Sequence, residues 1–410
     1  MSRQPNGVNE RLRTLLLPTL VLCTFVGFTI TVFVSTLLVD LAESFKVSIG
    51  TASELVLISS LTGLTVGVVM SALSIKFKHR SLFLIGMSVF TIGTFGFFLA
   101  QTFIELVFSQ FLVAAGFTII SIMTYALIGD QFPLKKRGWA IGLLVSGGMA
   151  AFIIVAPLSG LIASLAGWRS VLSWFIIPAS LVCVALSLIC IPSNQPKLDP
   201  SSQSLYLQAY KRIFLCKSTV ACLIGTTLVS FISVVPMYAV SFYRTAESVS
   251  PIVGGVFSSI AGVGAVVGGI VGGKLVNRFG RKSLAVIFYF VSGVTCILFT
   301  FIPIIGVSVA IWALAAATGT LGMAGLTSLT LEQVPTFRAS MMSINGSFQN
   351  VGMALGAIIG GLVLNFFHNN FQLLMTILGS LGASAAIVLF LFTNDPYETG
   401  LRVKTPKLDP

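Results

Sequence analysis

Apolar residues run along this chain in long uninterrupted blocks, not in alternation. Twelve blocks stand out, near 14–37, 51–74, 82–101, 104–128, 139–164, 170–191, 218–241, 252–275, 284–303, 305–330, 341–366 and 371–393. A helix needs about 20 apolar residues to cross the hydrocarbon layer. A spanning strand needs only about ten, with a period of two. Backbone amides and carbonyls in lipid must find partners inside their own segment, so each block is predicted to be a helix. The expected fold is an all-α membrane protein with twelve transmembrane helices. The first block is too long for a cleaved signal, and no small-residue cleavage site follows it. Cys23 follows Val21-Leu22 without the small residue of a lipoprotein site, so it reads as an ordinary packed side chain.

Composition agrees. Charged residues make up 9% of the 410 residues and hydrophobic ones 56%. A soluble domain carries about 25% charged residues, and disordered chains are polar and poor in aromatics. Six cysteines in this length are no disulfide framework.

The net charge of +12 raises a nucleic-acid partner, and position removes it. Assigned to alternate loops, 21 of the 24 basic residues fall on one side; Lys46, Arg169 and Arg244 are the remainder. The positive-inside rule makes the rich side cytoplasmic, with both termini there, in a plasma or inner membrane. Its loops are expected to meet anionic headgroups.

The longest polar break, 192–217, contains Pro192, Pro196 and Pro200. It divides the chain into a tail (1–13), a six-helix bundle (14–191), a linker (192–217), a second six-helix bundle (218–393) and a tail (394–410). Ser204 to Phe214 reads either as a short amphipathic helix on the inner leaflet or as a plain loop.

The two bundles repeat. SALSIKFKHRSLFLI from Ser71 follows the second block, and GKLVNRFGRKSLAVI from Gly273 follows the eighth. Aligning Ser81-Leu82 with Ser283-Leu284 pairs Phe77 with Phe279, Lys76 with Arg278 and Arg80 with Lys282. DQFPLKKR (Asp130 to Arg137) after the fourth block answers EQVPTFR (Glu332 to Arg338) after the tenth. Repeats of this kind mark secondary transporters, with the solute site at the repeat interface near mid-membrane.

These residues resemble the Major Facilitator Superfamily over nearly the whole chain. Gly273-Lys-Leu-Val-Asn277-Arg278-Phe-Gly280-Arg281-Lys282 is similar to its signature loop, Gly-x-Leu-Ala-Asp-Arg-x-Gly-Arg-Arg/Lys, with Asn277 at the acid position. Gly167-Trp168-Arg169 and Asp130-to-Gly142 are further family features, and Phe33 to Ala52 is similar to the twelve-span sugar- and drug-efflux branch. The exporter signature Arg-x-Leu-x-Gly stands here as Gln110-Phe-Leu112-Val-Ala114, without the arginine. The antiporter signature Gly-Pro-x-x-Gly-Gly stands as Ala156-Pro157-Leu-Ser159-Gly160. The resemblance implies two pseudo-symmetric six-helix bundles, a monomer, and alternating access.

Asp130 and Glu332 end the fourth and tenth spans, near Arg137, Arg278, Arg281, Lys282 and Arg338. Carboxylates beside guanidinium groups form charge-assisted hydrogen bonds, which would latch a cytoplasmic gate; static surface pairs are the alternative. Gly264, Gly268 and Gly272, spaced by four, and Pro157 and Gly160 allow close helix approach. The resemblance places such faces where span 5 meets span 8, as a hinge; static packing is the alternative.

An ionisable residue deep in a span is a functional candidate, and none is found here. Glu54 and Glu105 each match a Ser/Thr-x-x-Glu capping box, after Thr51 and Thr102. Asp40, past the end of the first span, is left as the proton-coupling candidate. Asn345, Gln349 and Asn350 on span 11 are the leading solute contacts, with Thr124, Tyr125, Ser233, Tyr238 and Thr318 behind them; hydrogen bonding between helices is the other reading of each. Amides and hydroxyls without fixed charge suit an uncharged or amphipathic solute.

The chain thus reads as a secondary carrier, with export favoured by the branch it resembles. An uncoupled facilitator or importer, and a transporter-like solute sensor, remain alternatives. No P-loop is present. Nothing in the sequence points to an enzyme, a cofactor or a metal.

Overall fold

The computed structural model describes residues 7–132, 134–192, 214–334 and 338–395. Within these, the side chains of 7–14, 71–72, 75–76, 130, 134–139, 277 and 338–340 lie outside the described set. The linker segment Ser204 to Phe214 falls outside it but for Phe214.

Among the described residues, twelve helices are long and apolar enough to cross a membrane: Leu15–Thr36, Ile49–Met70, His79–Leu99, Phe103–Gly129, Ala140–Ala166, Trp168–Cys190, Lys217–Thr245, Pro251–Val276, Arg281–Phe301, Ile305–Gln333, Met341–Phe366 and Phe371–Phe392. They are called spans 1 to 12. Each falls within a few residues of the apolar block that predicts it, because helix length here is set by the thickness of the hydrocarbon. Large apolar side chains such as Phe290, Phe366 and Phe390 stand exposed on the helix surfaces. In lipid such exposure carries no penalty, which is why core and surface are equally apolar.

Local signals set the helix ends. Thr102 and Glu105 form the predicted capping box, with Glu105 N–H donating to Thr102 Oγ1 (3.3 Å) and the Glu105 carboxylate accepting from the Thr102 amide. At span 2 the expectation is corrected. The cap is Ser48, whose hydroxyl accepts from Thr51 N–H (2.9 Å) ahead of a short turn, Ile49–Ala52, and Glu54 opens the next helical segment without a side-chain cap.

The repeat seen in the sequence is repeated in the packing. Span 3 lies closest to span 4, and span 9 to span 10. Gly116 lets the Phe90 backbone approach in the first pair; Gly325 does the same for Ala285 in the second. Arg80 donates to Leu188 O at the end of span 6 (2.8 Å), and Lys282 donates to Thr393 O at the end of span 12 (2.7 Å). These two residues are partners in the sequence alignment. A cation on the free carbonyls of a helix C-terminus satisfies them and meets the negative end of the helix dipole.

Contacts divide the chain into two compact units, with one cut inside the linker, between Pro200 and Ser201, and the others within spans 7, 8, 11 and 12. Unit 1 holds Met1–Pro200 with Val234–Val263 and Met353–Leu374; unit 2 holds Ser201–Ser233, Gly264–Gly352 and Met375–Pro410. Spans 7, 8, 11 and 12 therefore contribute one end each to unit 1. That end is the one bearing Lys46, Arg169 and Arg244, called here the charge-poor end.

Span 7 is not one helix. It runs Lys217–Ser230, narrows to a 3-10 turn at Ile232–Val234, and resumes at Val235–Thr245. Pro236 has no N–H to give to the carbonyl four residues back, so the α-helical ladder fails there.

Candidate functional site

In unit 2, the first part of span 7 faces the first part of span 11 through polar groups. The Thr226 hydroxyl lies 2.7 Å from Asn345 Oδ1 and 3.0 Å from Cys222 O, so its proton is shared between them. Thr227 reaches Phe348 O (3.3 Å), and Ser230 bonds back to Thr226 O (2.6 Å). Gly352 makes this approach possible: a Cβ there would overlap Thr227 O and lie 2.6 Å from Ser230 Cβ. Asn345 thus uses one amide atom to hold span 7 and keeps its other end available. Gln349 stands one turn on, half-buried, on the same face. Asn350 is also half-buried but about 140° around the helix from Asn345. Ser233 is exposed, in the 3-10 break of span 7.

The other solute candidates separate by burial. Tyr238 is fully buried, and its hydroxyl donates to Ala357 O on span 11 (3.2 Å), beside Gly360. Thr318 is buried with its hydroxyl on Leu314 O (2.8 Å) in its own helix. Both side chains are spent on packing in this structure, which corrects their expected place in a cavity. Thr124 is buried with an unpartnered hydroxyl, and Tyr125 is half-exposed at 50%.

The hinge expectation is corrected in part. Gly264, Gly268 and Gly272 face span 10 within unit 2, against Ala313, Ala317 and Leu321, so they hold two neighbouring helices together. Span 5 does meet span 8, through other residues. A Cβ on Gly160 would overlap Pro251 O; one on Gly255 would lie 2.5 Å from Ala156 O and 2.9 Å from the Pro157 Cα. Ser259 donates to Ile153 O at 2.9 Å in the same crossing. Gly255 and Ser259 were invisible as a pair to Pro157 and Gly160 because nothing in the sequence says which faces of two helices will touch.

Of the expected gate residues at the basic end, the side chains of Asp130, Arg137, Asn277 and Arg338 lie outside the described set. Arg278 is exposed, with its guanidinium over the Phe279 ring (5.8 Å), and Glu332 and Arg281 are half-buried. The Lys282 ammonium is committed to Thr393 O, a tie between span 9 and span 12 and not a reach toward an acid.

At the charge-poor end the sequence reading missed an ion pair. Asp40, on the short helix Leu38–Ser44, takes both terminal nitrogens of Arg244 at the end of span 7. The proton-coupling candidate Asp40 is thus held in an ion pair. The only signal was that Arg244 is one of three basic residues on its side.

A fold of twelve such helices, doubled and packed pairwise, recurs in known proteins. The Major Facilitator Superfamily profile matches residues 20–245 and again 220–408. The chain is 30% identical over 254 residues to a protein named multidrug resistance protein MdtG from Proteus mirabilis, covering 58% of this chain and 60% of that one. It thus spans less than two thirds of that relative. An uncharacterized MFS-type transporter, YbcL of Bacillus subtilis, is 25% identical over 378 residues, covering 88% of this chain and 92% of that one. The structure of a D-xylose–proton symporter superposes with a TM-score of 0.75 at 19% identity, over 93% of this chain and 98% of the other, a likeness of fold alone. Profile, relatives and architecture agree, and none of them is an enzyme: the chain is a multi-pass membrane protein and belongs to the Major Facilitator Superfamily of transporters.

Proposed function

We propose that this protein moves a small uncharged or amphipathic organic solute across the membrane by alternating access, in the export direction, with the basic end in the cytoplasm. The observation that carries the solute class is the face shared by spans 7 and 11. Asn345, Gln349 and Ser233 offer hydrogen-bonding groups beside a helix break, and no carboxylate stands among them. An isolated ion placed there would lose hydration without a counter-charge. A broken helix frees backbone carbonyls at mid-membrane, where transporters of several folds bind their cargo. Export rests on the likeness to a protein named for multidrug resistance.

Gln349→Ala in reconstituted vesicles is expected to lower solute flux at least tenfold while leaving the thermal melt unchanged, because a half-buried amide contributes to binding and little to packing. Asn345→Ala is expected to lower flux similarly and to cost about 1 kcal/mol of stability through the lost bond to Thr226. Normal flux in both variants would move the site elsewhere. An imposed pH gradient separates coupled export from facilitation: flux that ignores the gradient would make the protein a facilitator.

Orientation has its own test. Cys216 is exposed at the basic end, and the other five cysteines are buried. A membrane-impermeant maleimide is expected to leave intact cells unlabelled and to label Cys216 in inverted vesicles. The reverse pattern would invert the proposed threading.

A further inference from the structure

We propose that Asp40 and Arg244 form a releasable clasp that holds the charge-poor end of the transporter shut, with Ser48 and Asn365 as a second, neutral catch. This rests on the alternating-access reading above and names the groups that must part for one of its states to form.

The geometry is that of a clasp and not of a surface pair. Arg244 presents two terminal nitrogens to the two carboxylate oxygens of Asp40, one of them at 2.9 Å, in a fork-on-fork arrangement. The two residues are 204 positions apart, one just past span 1 and the other in the last turn of span 7. Their side chains are 21% and 9% exposed, so the bond is shielded from salt and water. Yet Asp40 keeps a path to solvent, and the Arg244 Nε stays without a partner.

The neutral catch lies at the same end. Ser48, which caps the turn ahead of span 2, donates to Asn365 Oδ1 near the end of span 11 (2.6 Å). Gly50 beside it has no room for a side chain, since a Cβ would come within 2.6 Å of Gly361 O. Spans 1 and 2 are thus tied to spans 7 and 11 by one ionic and one neutral contact, all within unit 1. Opening this end separates both. The ionic contact is the one whose loss is most sensitive to charge, because neutralising either partner leaves the other charge half-desolvated and favours the hydrated, open arrangement.

The test measures the opening itself. Spin labels at Glu43→Cys and Glu247→Cys, both exposed and flanking the pair, are read as a distance distribution in the full-length protein with Cys216→Ser. The parent is expected to show mainly the short distance. Asp40→Asn and Arg244→Gln are each expected to raise the ratio of long to short at least tenfold, and the exchanged pair Asp40→Arg with Arg244→Asp to return most of it. An unchanged distribution in both single variants overturns the clasp. If neither single variant yields monodisperse protein, Asp40→Glu decides: a shift toward the long distance supports the clasp, and none overturns it. A purely structural brace would lower the melting temperature without moving the distances. Solute flux is measured in parallel. Distances that shift in a protein carrying no solute would leave the clasp standing and remove the transport reading; flux without any shift would do the opposite.

Discussion

Gly268→Val is expected to be among the most damaging single substitutions in this protein. A Cβ at Gly268 would overlap Ala317 O and Thr320 Oγ1 on span 10. The first of these is backbone, which cannot step aside without pushing the two helices apart. Separation would also break the bond from Thr320 to Ala265 O (2.8 Å), which crosses between the same spans. Overpacking a close contact costs about 1–3 kcal/mol and sometimes more. In a membrane, where helix association depends on van der Waals fit rather than on water exclusion, little else compensates. The neighbouring Gly269 supplies the control. Nothing stands within 4 Å of a Cβ there, so Gly269→Ala is expected to be neutral, or to stabilise by up to about 1 kcal/mol through helix propensity. Thermal melts of the two variants in the same detergent check both. Equal melting temperatures would mean that spans 8 and 10 do not cross where the structure has them.

Trp168→Ala is expected to cost about 3–5 kcal/mol, the range for emptying a large aromatic site. The indole is 5% exposed and lies against Phe33, Phe45 and Phe97, with ring centroids at 6.4, 5.9 and 6.5 Å. Its Nε1 donates to Ser44 Oγ at 2.8 Å, and the Arg169 guanidinium stands 4.2 Å over its ring. Arg169 in turn donates to Ala100 O at the end of span 3 (2.7 Å). One side chain thus ties the start of span 6 to span 1, span 3 and the turn after span 1. Trp168→Phe keeps one aromatic ring but loses the rest of the indole's volume and the bond to Ser44, so its cost is expected to be smaller, at about 1–3 kcal/mol. Melting both variants alongside the parent tests the ranking; a Phe variant as weak as the Ala variant would put the stability in the hydrogen bond and not in the ring. Gly167 belongs to the same corner. Its φ of 81° is a left-handed backbone that lets the chain turn straight from span 5 into span 6.

Much of the architecture is legible without coordinates because lipid imposes so simple a rule. A segment that must satisfy its own backbone over about 30 Å declares itself by length and apolarity, whatever it packs against. The capping box at Thr102 and Glu105 was readable for a similar reason: both partners lie within one turn. The same pattern at Thr51 and Glu54 failed because Ser48, three residues earlier, offers the first exposed turn a better acceptor. Arg80 and Lys282, aligned with each other in the sequence, do the same work on Leu188 O and Thr393 O.

The candidate site was only half legible. Asn345 and Gln349 declare themselves as amides in an apolar block, but Thr226, which anchors the first of them, looks like any other threonine. Tyr238 and Thr318 looked equivalent to Ser233 in the sequence and differ entirely in burial. The glycines at 264, 268 and 272 announce a close approach without naming the helix approached. Asp40 was visible as a lone acid and Arg244 as a lone base, with 203 residues between them and no local pattern to join them. The sequence by itself determined the number and length of the apolar helices and the absence of charge from their middles, because these follow from the solvent. Only the tertiary structure decided which faces meet, since pairing between helices depends on rotation and register that a uniformly apolar surface does not encode. Those pairings set which polar groups are spent on packing.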